Sequence, residues 1–326
     1  MNVKLIDVDL KYREKKRRGF PPINLALAKV SWFHKARGDL VGFDIENPDK
    51  TYISCVFTRN RLIGIWEVLN STENRSFGGS GIWLEEKLPD EIEYLKPDYD
   101  LYPHWLIDKR GQSSVGFTSR GCIRRCGFCI VYEKEGAYHR VQHVKEFHDE
   151  RFKKIMLLDN NILADKEWFF ENTNWIIDHN LKLNISQGMD IRLLTDEIAE
   201  QLHQIKFVDQ QMRFAWDHLA LEPIVKAGIE MLKDHGINVR RNVSFFVLSG
   251  FNTPFCKDLY RCNKLKEFGA MPFVMPYNKA TPMMRALVRW ADRRSLRDLP
   301  FYKYDRMPVP PFRQPKENTG SIGGEE

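Results

Sequence analysis

Three cysteines lie close together in the chain, and their spacing is the feature that points most directly to chemistry. Cys122, Cys126 and Cys129 form the pattern CxxxCxxC, Phe128 precedes the last of them, and no fourth cysteine lies nearby. Iron–sulfur clusters are usually held by four thiolates, so a compact set of three leaves one iron of a cubane without a protein ligand. An open iron can bind a substrate or a cofactor. The pattern therefore predicts a [4Fe-4S] cluster ligated by these three cysteines.

Two other uses of cysteine fit the pattern less well. A structural zinc site normally takes four tetrahedral ligands, commonly from paired CxxC units, and a catalytic zinc takes three ligands plus water. Neither favours a gap of three residues followed by a gap of two. Disulfide bonds belong to oxidising compartments, whereas residues 1–8 are charged and strand-like and do not resemble a signal peptide. We therefore expect a reducing, cytoplasmic location.

The composition is that of an ordinary globular protein. The chain has 326 residues, of which 43% are hydrophobic, and it carries a net charge of +6. No apolar run approaches the roughly 18 residues that span a bilayer, so we expect no membrane role. Part of the positive charge lies in one run, residues 11–18. Such a run can meet the phosphates of nucleic acid or of a nucleotide-like substrate, or it can be a solvated basic loop.

Around and beyond the cysteine loop, short apolar or β-branched runs alternate with longer helical patterns. Six of these runs predict strands, at residues 115–119, 155–159, 183–187, 212–217, 243–249 and 272–277. The intervals leave room for crossover helices. One predicted helix opens at Thr195 with acids in its first turn, and another covers residues 223–235 and stops at Gly236. The alternation predicts an α/β fold with parallel strands and outer helices.

The cysteine spacing, with an aromatic residue before the third cysteine, resembles the signature of the radical S-adenosylmethionine (SAM) enzymes. Six β/α units with the cysteine loop directly after the first strand also resemble the partial (β/α)6, TIM-like barrel of that family, over about residues 110–295. In the family, the open iron chelates the amino and carboxylate groups of SAM. The resemblance implies reductive cleavage of SAM to a 5′-deoxyadenosyl radical, which abstracts hydrogen from a substrate.

Polar residues close each predicted strand, where parallel barrels build their active sites. Asp and Asn also end strands simply because they form turns. The resemblance places the SAM amino group at Asp159 and Asn160, although the usual Gly-Gly-Glu sequence is absent, and the adenine beside Ser249, Gly250 and the backbone of Phe128. The other candidates for cofactor or substrate contacts are Gln187, Asp190, Arg192, Asp217 and Tyr277, with Asn161, His218, Asn252 and Asn278 beside them.

The region before the cysteine loop is predicted to be a small Rossmann-like α/β domain. Its predicted strands are residues 3–7, 40–43 and 52–57, and a predicted helix over residues 24–37 ends at Gly38. With the glycine-rich residues 77–81, this arrangement resembles the cobalamin-binding domain that precedes many radical SAM barrels. The DxHxxG motif of histidine-ligated cobalamin is absent, and His34 is expected to be an ordinary helix-face residue. Cobalamin bound without a lower histidine ligand remains an alternative.

The remaining cysteines and histidines are not expected to bind metal. Cys55 is expected to be a small buried apolar residue. Cys256 and Cys262 are six residues apart on a predicted helix, so they do not share a face. His139 and His143 could share a helix face without a third ligand. We predict a Rossmann-like domain over residues 1–105, the barrel over 106–298 and an extension over 299–326, of which residues 307–326 are expected to be disordered.

Three functions follow from these features. The leading hypothesis is a radical SAM enzyme that abstracts hydrogen from a small-molecule or nucleotide-type substrate, with an electron donor such as flavodoxin or ferredoxin. The second is a cobalamin-dependent radical SAM methyltransferase. The third is a non-enzymatic metal-binding module that binds nucleic acid through the basic run. Arg124 and Arg125, inside the cysteine loop, could tune the cluster, contact an anionic substrate or simply be solvated.

Overall fold

The computed structural model describes residues 1–12, 23–107, 111–278, 281–293, 295 and 298–305. Over these residues the protein is a mixed α/β structure whose larger sheets are all parallel. Most of the basic run and the whole of residues 307–326 lie outside the described residues, so the predictions made for them stay predictions. No helix among the described residues is long and apolar enough to cross a membrane.

The first part of the chain forms a four-stranded parallel sheet in the order β2-β1-β3-β4. Its strands are β1 Asn2–Asp7, β2 Leu40–Gly42, β3 Lys50–Ser54 and β4 Arg75–Gly78. The three predicted strands are confirmed with somewhat different bounds. The fourth was not predicted, because its sequence ends in glycine and has only one large apolar residue, Phe77. The helices of this part are α1 Val8–Lys11, α2 Leu25–Lys35, α3 Arg61–Leu69, α4 Asp90–Glu93 and α5 Pro103–Ile107.

All six strands predicted around and after the cysteine loop are present. They form two three-stranded parallel sheets, β5-β8-β9 and β10-β11-β12. Two isolated parallel bridges, Leu183 to Phe207 and Met189 to Phe214, connect the β9 side to the β10 side. A short antiparallel pair, β6 with β7, was not predicted. The strands are β5 Ser114–Gly116, β6 Ser119–Arg120, β7 His139–Arg140, β8 Lys154–Leu157, β9 Lys182–Ile185, β10 Met212–Ala215, β11 Val243–Ser249 and β12 Met271–Pro276.

Helices alternate with these strands, and local capping explains where several of them start and stop. The Thr195 side chain accepts a hydrogen bond from Ile198 N and so caps α9. After α10, Gly236 has a φ of +76°, a left-handed conformation that glycine adopts without strain. The helices are α6 Val131–Glu135, α7 Val144–Phe147, α8 Lys166–Asp178, α9 Asp196–Gln204, α10 Glu222–Asp234, α11 Val239–Asn242, α12 Phe255–Phe268, α13 Pro282–Ala291 and α14 Phe301–Asp305.

One apolar core joins these strands to the helices that cover them. It contains residues of β8 to β12, such as Phe214 of β10 and Phe245 of β11, together with the apolar stripes of α8, α9, α10, α12 and α13. Alternation with period two follows from strand geometry, which sends successive side chains to opposite faces. A second core under the first sheet also takes in Val115 and Phe152. The two parts of the chain are therefore packed together beyond the boundary predicted at residue 105.

One prediction about the histidines is wrong. His139 and His143 do not lie on a helix: His139 belongs to β7, and His143 precedes α7 and caps it by accepting from Lys145 N. The antiparallel pairing of His139 with Arg120 places it in a strand, which breaks the helical pattern. The histidine His34 does lie on a helix, α2, as predicted, and its ring bonds to Asp39 and Tyr52.

Candidate functional site

The cysteine loop leaves β5 at the carboxyl end of the parallel strands and is held in place by its own backbone. Gly121 begins the loop with a φ of +72°, and a side chain there would collide with the carbonyl of Ala137. Cys122 N donates to Gly136 O at 3.3 Å, and Cys129 N donates to Cys126 O at 2.9 Å. Because only glycine fits at position 121, the loop can pass this close to the chain that returns toward β7.

Asp159, which follows β8, fixes the segment that leads into the loop. Its side chain is 1% exposed and accepts three hydrogen bonds of 2.7 Å each, from Thr118 N, Thr118 Oγ1 and Ser119 N. Burial raises the pKa of Asp159 to about 6, and the three donors oppose that rise. Both carboxylate oxygens are therefore occupied. The structure gives Asp159 a role in positioning the segment that enters the loop.

The next two residues contact the loop itself. Asn160 Oδ1 accepts from Gly121 N at 3.1 Å, so this side chain also supports the loop. Asn161 Nδ2 lies 3.6 Å from Cys122 Sγ and donates to it, and the Arg124 backbone N–H donates to the same sulfur at 3.3 Å. Asn161 is 3% exposed, yet its Oδ1 has no hydrogen-bond partner among the described residues. The sulfur of Cys122 thus has two N–H groups directed at it, one from the backbone and one from a side chain.

An ion pair ties the cysteine loop to the loop after β9. Arg124 Nε lies 3.1 Å from Asp190 Oδ2, and Arg192 binds the same carboxylate through bonds of 2.6 Å and 2.9 Å. Burial would raise the pKa of Asp190, but its bonds to Arg192 and Arg124 hold that pKa below the usual value. Arg125 instead stacks on the ring of Tyr132 within the loop. Of the two loop arginines, Arg124 is the one that faces the strand ends.

The three thiols share one electrostatic environment. Burial raises the pKa of the Cys126 thiol; Arg192 lowers it, whereas Asp217, Cys129 and Cys122 raise it. Asp217, which follows β10, has a raised pKa for the same reason, burial. These interactions show that loops after two different strands place charged side chains close to the cysteines. The positive charge of Arg192 opposes the rise in the pKa of Cys126 without reversing it.

Aromatic rings pack on the other side of the loop. The ring of Phe128 lies 6.1 Å from His218, after β10, and 5.6 Å from Phe251, after β11. Phe251 in turn packs 4.7 Å from Tyr277, after β12. A side chain at Gly127 would come within 3.9 Å of Phe251. The cysteine loop therefore contacts residues that follow β8, β9, β10 and β11, and through Phe251 it reaches the end of β12.

Three predicted contacts have other surroundings, and one supporting pair was missed. Gln187 is exposed, and the buried Ser249 hydroxyl donates to a carbonyl of its own strand. Gly250 N donates to Asp258 Oδ2 at 2.9 Å, and Asp258 pairs at 2.7 Å with Arg261; both side chains are fully buried. This pair fixes the turn after β11. Its signal in the sequence is an acid and an arginine three apart on one helix.

The described residues contain no group of three or more His, Cys, Asp or Glu side chains that could hold a single metal ion. A four-iron cubane binds its thiolates at separate corners, so its ligands stand farther apart than those of one ion. Three cysteines on one loop, two N–H donors on Cys122 and a nearby guanidinium match what an anionic iron–sulfur cluster requires. The chemistry of this donor set fits the cluster.

The remaining cysteines and His34 lie outside the cysteine loop. Cys55 and Cys262 are buried, and Cys256 is exposed on α12. His34 is 3% exposed and bonds through both ring nitrogens, which leaves no nitrogen for cobalt. A cavity of about 360 Å³ lies at the opposite, amino-terminal end of β9 and β10, where Lys182, His203, Lys206, Met212 and Asn242 are among its lining residues.

The chain matches no known family model and none of the curated proteins compared with it.

Proposed function

We propose that this protein is a radical SAM enzyme whose six parallel strands β5 and β8–β12 form a partial barrel around the reacting groups. The observation that carries the proposal is the placement of the CxxxCxxC loop. It lies at the carboxyl ends of parallel strands and is bound to the residues that follow them, as an active-site loop in a parallel barrel is. Cys122, Cys126 and Cys129 would hold the cluster. When bound, the cluster and SAM would supply one-electron cleavage of a carbon–sulfur bond and hence a carbon radical.

The chain's own residues would bind and orient the cofactor. Asn161 Oδ1 is a buried acceptor beside Cys122 that has no partner in the described part of the chain, and a buried acceptor of this kind is costly unless a ligand donates to it. The ammonium group of SAM is such a donor. Asn161 therefore takes the role that the resemblance assigned to Asp159 and Asn160, both of which are occupied by the loop backbone.

Arg192 and the aromatic group would shape the rest of the site. Arg192 is 29% exposed at its side chain and lies near Cys126, where its remaining donors can meet a carboxylate. Phe128, Phe251 and Tyr277 form an apolar wall next to the loop. Such a wall would keep water and stray hydrogen donors away from a radical.

The two alternatives have less support. A cobalamin in the first domain would have to bind without His34, since that histidine is bonded within the fold. Of the basic run, Lys11 is described, and its ammonium group pairs with Glu67. The physiological reductant, such as flavodoxin or ferredoxin, and a cytoplasmic location remain part of the proposal.

The test is cleavage of SAM by the reconstituted full chain. The cluster is assembled without oxygen, SAM and dithionite are added, and 5′-deoxyadenosine is measured for the wild type, Cys126→Ala and Cys256→Ala. Cys256 is exposed and lies away from the loop, so it is the matched control. We expect product from the wild type and Cys256→Ala and none from Cys126→Ala. Equal yields from all three, or zinc in place of iron in the purified protein, would overturn the proposal.

A parallel sample purified with hydroxocobalamin tests the second hypothesis, the cobalamin-dependent methyltransferase. Retention of a corrinoid by the purified chain would favour the methyltransferase. Loss of the corrinoid on desalting, with cleavage of SAM retained, would favour hydrogen abstraction without cobalamin.

A further inference from the structure

Among the described residues, one face of the sheet β10-β11-β12 is left partly open. The face packed on α10, α12 and α13 belongs to the main core, and the opposite one is called here the inner face. Phe273, Met275 and Tyr277 on the inner face are 45–47% exposed. Parallel sheets are normally covered on both faces, so large exposed side chains there indicate a surface that a ligand covers. The inner face consists of Arg213, Ala215, Ser244, Phe246, Leu248, Phe273, Met275 and Tyr277.

Arg213 places a positive charge on this face, and no acidic partner for it lies among the described residues. Its guanidinium donates to Asn184 Oδ1 at 3.1 Å, and among the described residues no carboxylate lies within ion-pair distance of it. Burial lowers the pKa of Arg213, and the charge of Asp209 only partly offsets this. A half-buried guanidinium is stabilised far better by an anion than by one neutral amide. The missing partner is therefore a negatively charged group.

Aromatic side chains lie one row closer to the cysteine loop. Phe246 packs edge-to-face on Phe273 with ring centroids 5.5 Å apart, and the strand register places Ala215 beside Phe246. A side chain at Gly188 would come within 2.8 Å of the Phe246 ring, so glycine there makes room for it. Because Ala215 is small, it leaves space beside the Phe246 ring, and a planar group can stack there on Phe246 and its neighbour Phe273.

The length of the inner face along β10 fits a single small molecule. Asp217 follows Arg213 by four residues, which is about 13 Å at roughly 3.3 Å per residue. An anionic group bound at Arg213 would let an attached ring cover Phe246 and Phe273. The other end of such a molecule would then approach the cysteine loop.

We propose that the inner face binds the substrate, and that this substrate is a planar aromatic molecule carrying a carboxylate or a phosphate, with Arg213 as the anion contact and Phe246 and Phe273 as the stacking surface. The inference deepens the proposed function and rests on it for the reaction at the loop end. The binding itself follows from the inner face alone.

The test is equilibrium binding to the full chain with its cluster assembled and SAM at saturation. Two pairs of probes separate the two anions: adenosine 5′-monophosphate against adenosine, and indole-3-acetate against indole-3-acetamide. We expect the wild type to bind the anionic member of one pair more tightly. Arg213→Gln should weaken that member by about 10- to 100-fold and leave the neutral member unchanged. Phe273→Ala should weaken both members of the pair.

Matched variants and a salt titration distinguish loss of the anion contact from misfolding of the variant. Arg75→Gln and Tyr94→Ala remove an exposed guanidinium and an exposed ring far along the chain from the inner face, and they should bind like the wild type. Arg213→Lys keeps the positive charge but lacks the planar, two-pronged donor geometry of guanidinium, so it should lose part of the affinity. For the wild type, affinity for the anion should fall as salt is added, and affinity for the neutral probe should not.

Two outcomes would overturn the inference: no preference of the wild type for the anion in either pair, or equal anion affinity in the wild type and Arg213→Gln. Formation of 5′-deoxyadenosine by the wild type is measured on the same preparation. Binding that depends on Arg213 without any cleavage of SAM would remove the proposed function and keep the anion site. Cleavage of SAM without such binding would keep the proposed function and remove the anion site.

Discussion

Replacing Asp159 by alanine is expected to destabilise the protein strongly, whereas asparagine is expected to be tolerated. In the wild type this fully buried carboxylate satisfies the backbone N–H groups of Thr118 and Ser119 and the hydroxyl of Thr118. Alanine leaves those donors without an acceptor. A buried unsatisfied group costs about 1–3 kcal/mol, and the hydroxyl can rotate toward another acceptor, so two orphaned N–H groups give about 2–6 kcal/mol.

Asparagine retains the geometry. Its Oδ1 can accept from both backbone N–H groups, and its NH₂ group can donate to the hydroxyl of Thr118, which reverses its own role. The variant also avoids the burial of a charge, which is what raises the pKa of Asp159 to about 6. We therefore expect Asp159→Asn to cost about 1 kcal/mol or less.

The measurement is urea denaturation of the wild type, Asp159→Ala and Asp159→Asn, followed by iron content after anaerobic reconstitution and desalting. Asp178→Ala is the control, because Asp178 is exposed near the end of α8 and should change stability by less than about 0.5 kcal/mol. We also expect Asp159→Ala to lose iron, since the segment entering the cysteine loop would no longer be fixed. A loss below about 1 kcal/mol for alanine, or equal losses for alanine and asparagine, would refute the reasoning.

Three further predictions concern the loop and the last helices. Gly121→Ala should cost about 1–3 kcal/mol and abolish iron retention, because position 121 has a positive φ and its Cβ would clash; a stability within 0.5 kcal/mol of wild type would contradict this. Asn161→Leu should lower the reduction potential of the assembled cluster, because an N–H donor to Cys122 is lost. The potential is measured in an EPR-monitored titration, and an unchanged or higher value would count against the contact between Asn161 and Cys122. Burial raises the pKa of Asp292 from 3.8 to about 6, so the folded state binds this proton more tightly and stability falls as the pH rises from about 4 to about 6. Asp292→Asn should therefore be more stable than wild type at pH 7.5 by about 1–2 kcal/mol, allowing for solvent screening, and equal to it near pH 4; a constant difference across that range would exclude the titration.

Much of the secondary structure could be predicted from local patterns. The six strands around and after the cysteine loop are apolar runs of strand length, and the helix after Thr195 starts where its cap and first-turn acids indicate. The cysteine spacing is likewise local, since it needs only eight consecutive residues. Where the local signal was weak, the prediction failed: β4 has a single large apolar residue, and His139 and His143 lie in a hairpin and a cap.

The roles of the strand-end residues could not be predicted in the same way. Asp159, Asn160 and Asn161 are consecutive polar residues, and each could form a turn or contact a ligand. In the structure their partners lie 39 to 41 residues earlier in the chain. Arg124 and Asp190 are 66 residues apart. Such pairs form only when the strands have assembled side by side.

Within this protein, then, residue type and short-range spacing determined which side chains have cluster-binding chemistry and which segments are strands or helices. The tertiary structure decided which polar side chains hold the loop and which find no partner among the described residues. The physical reason is that a buried donor or acceptor must find a partner. Whether Asn161 Oδ1 or Arg213 has a partner depends on the neighbours that folding brings to it, and no local pattern of residues contains that information.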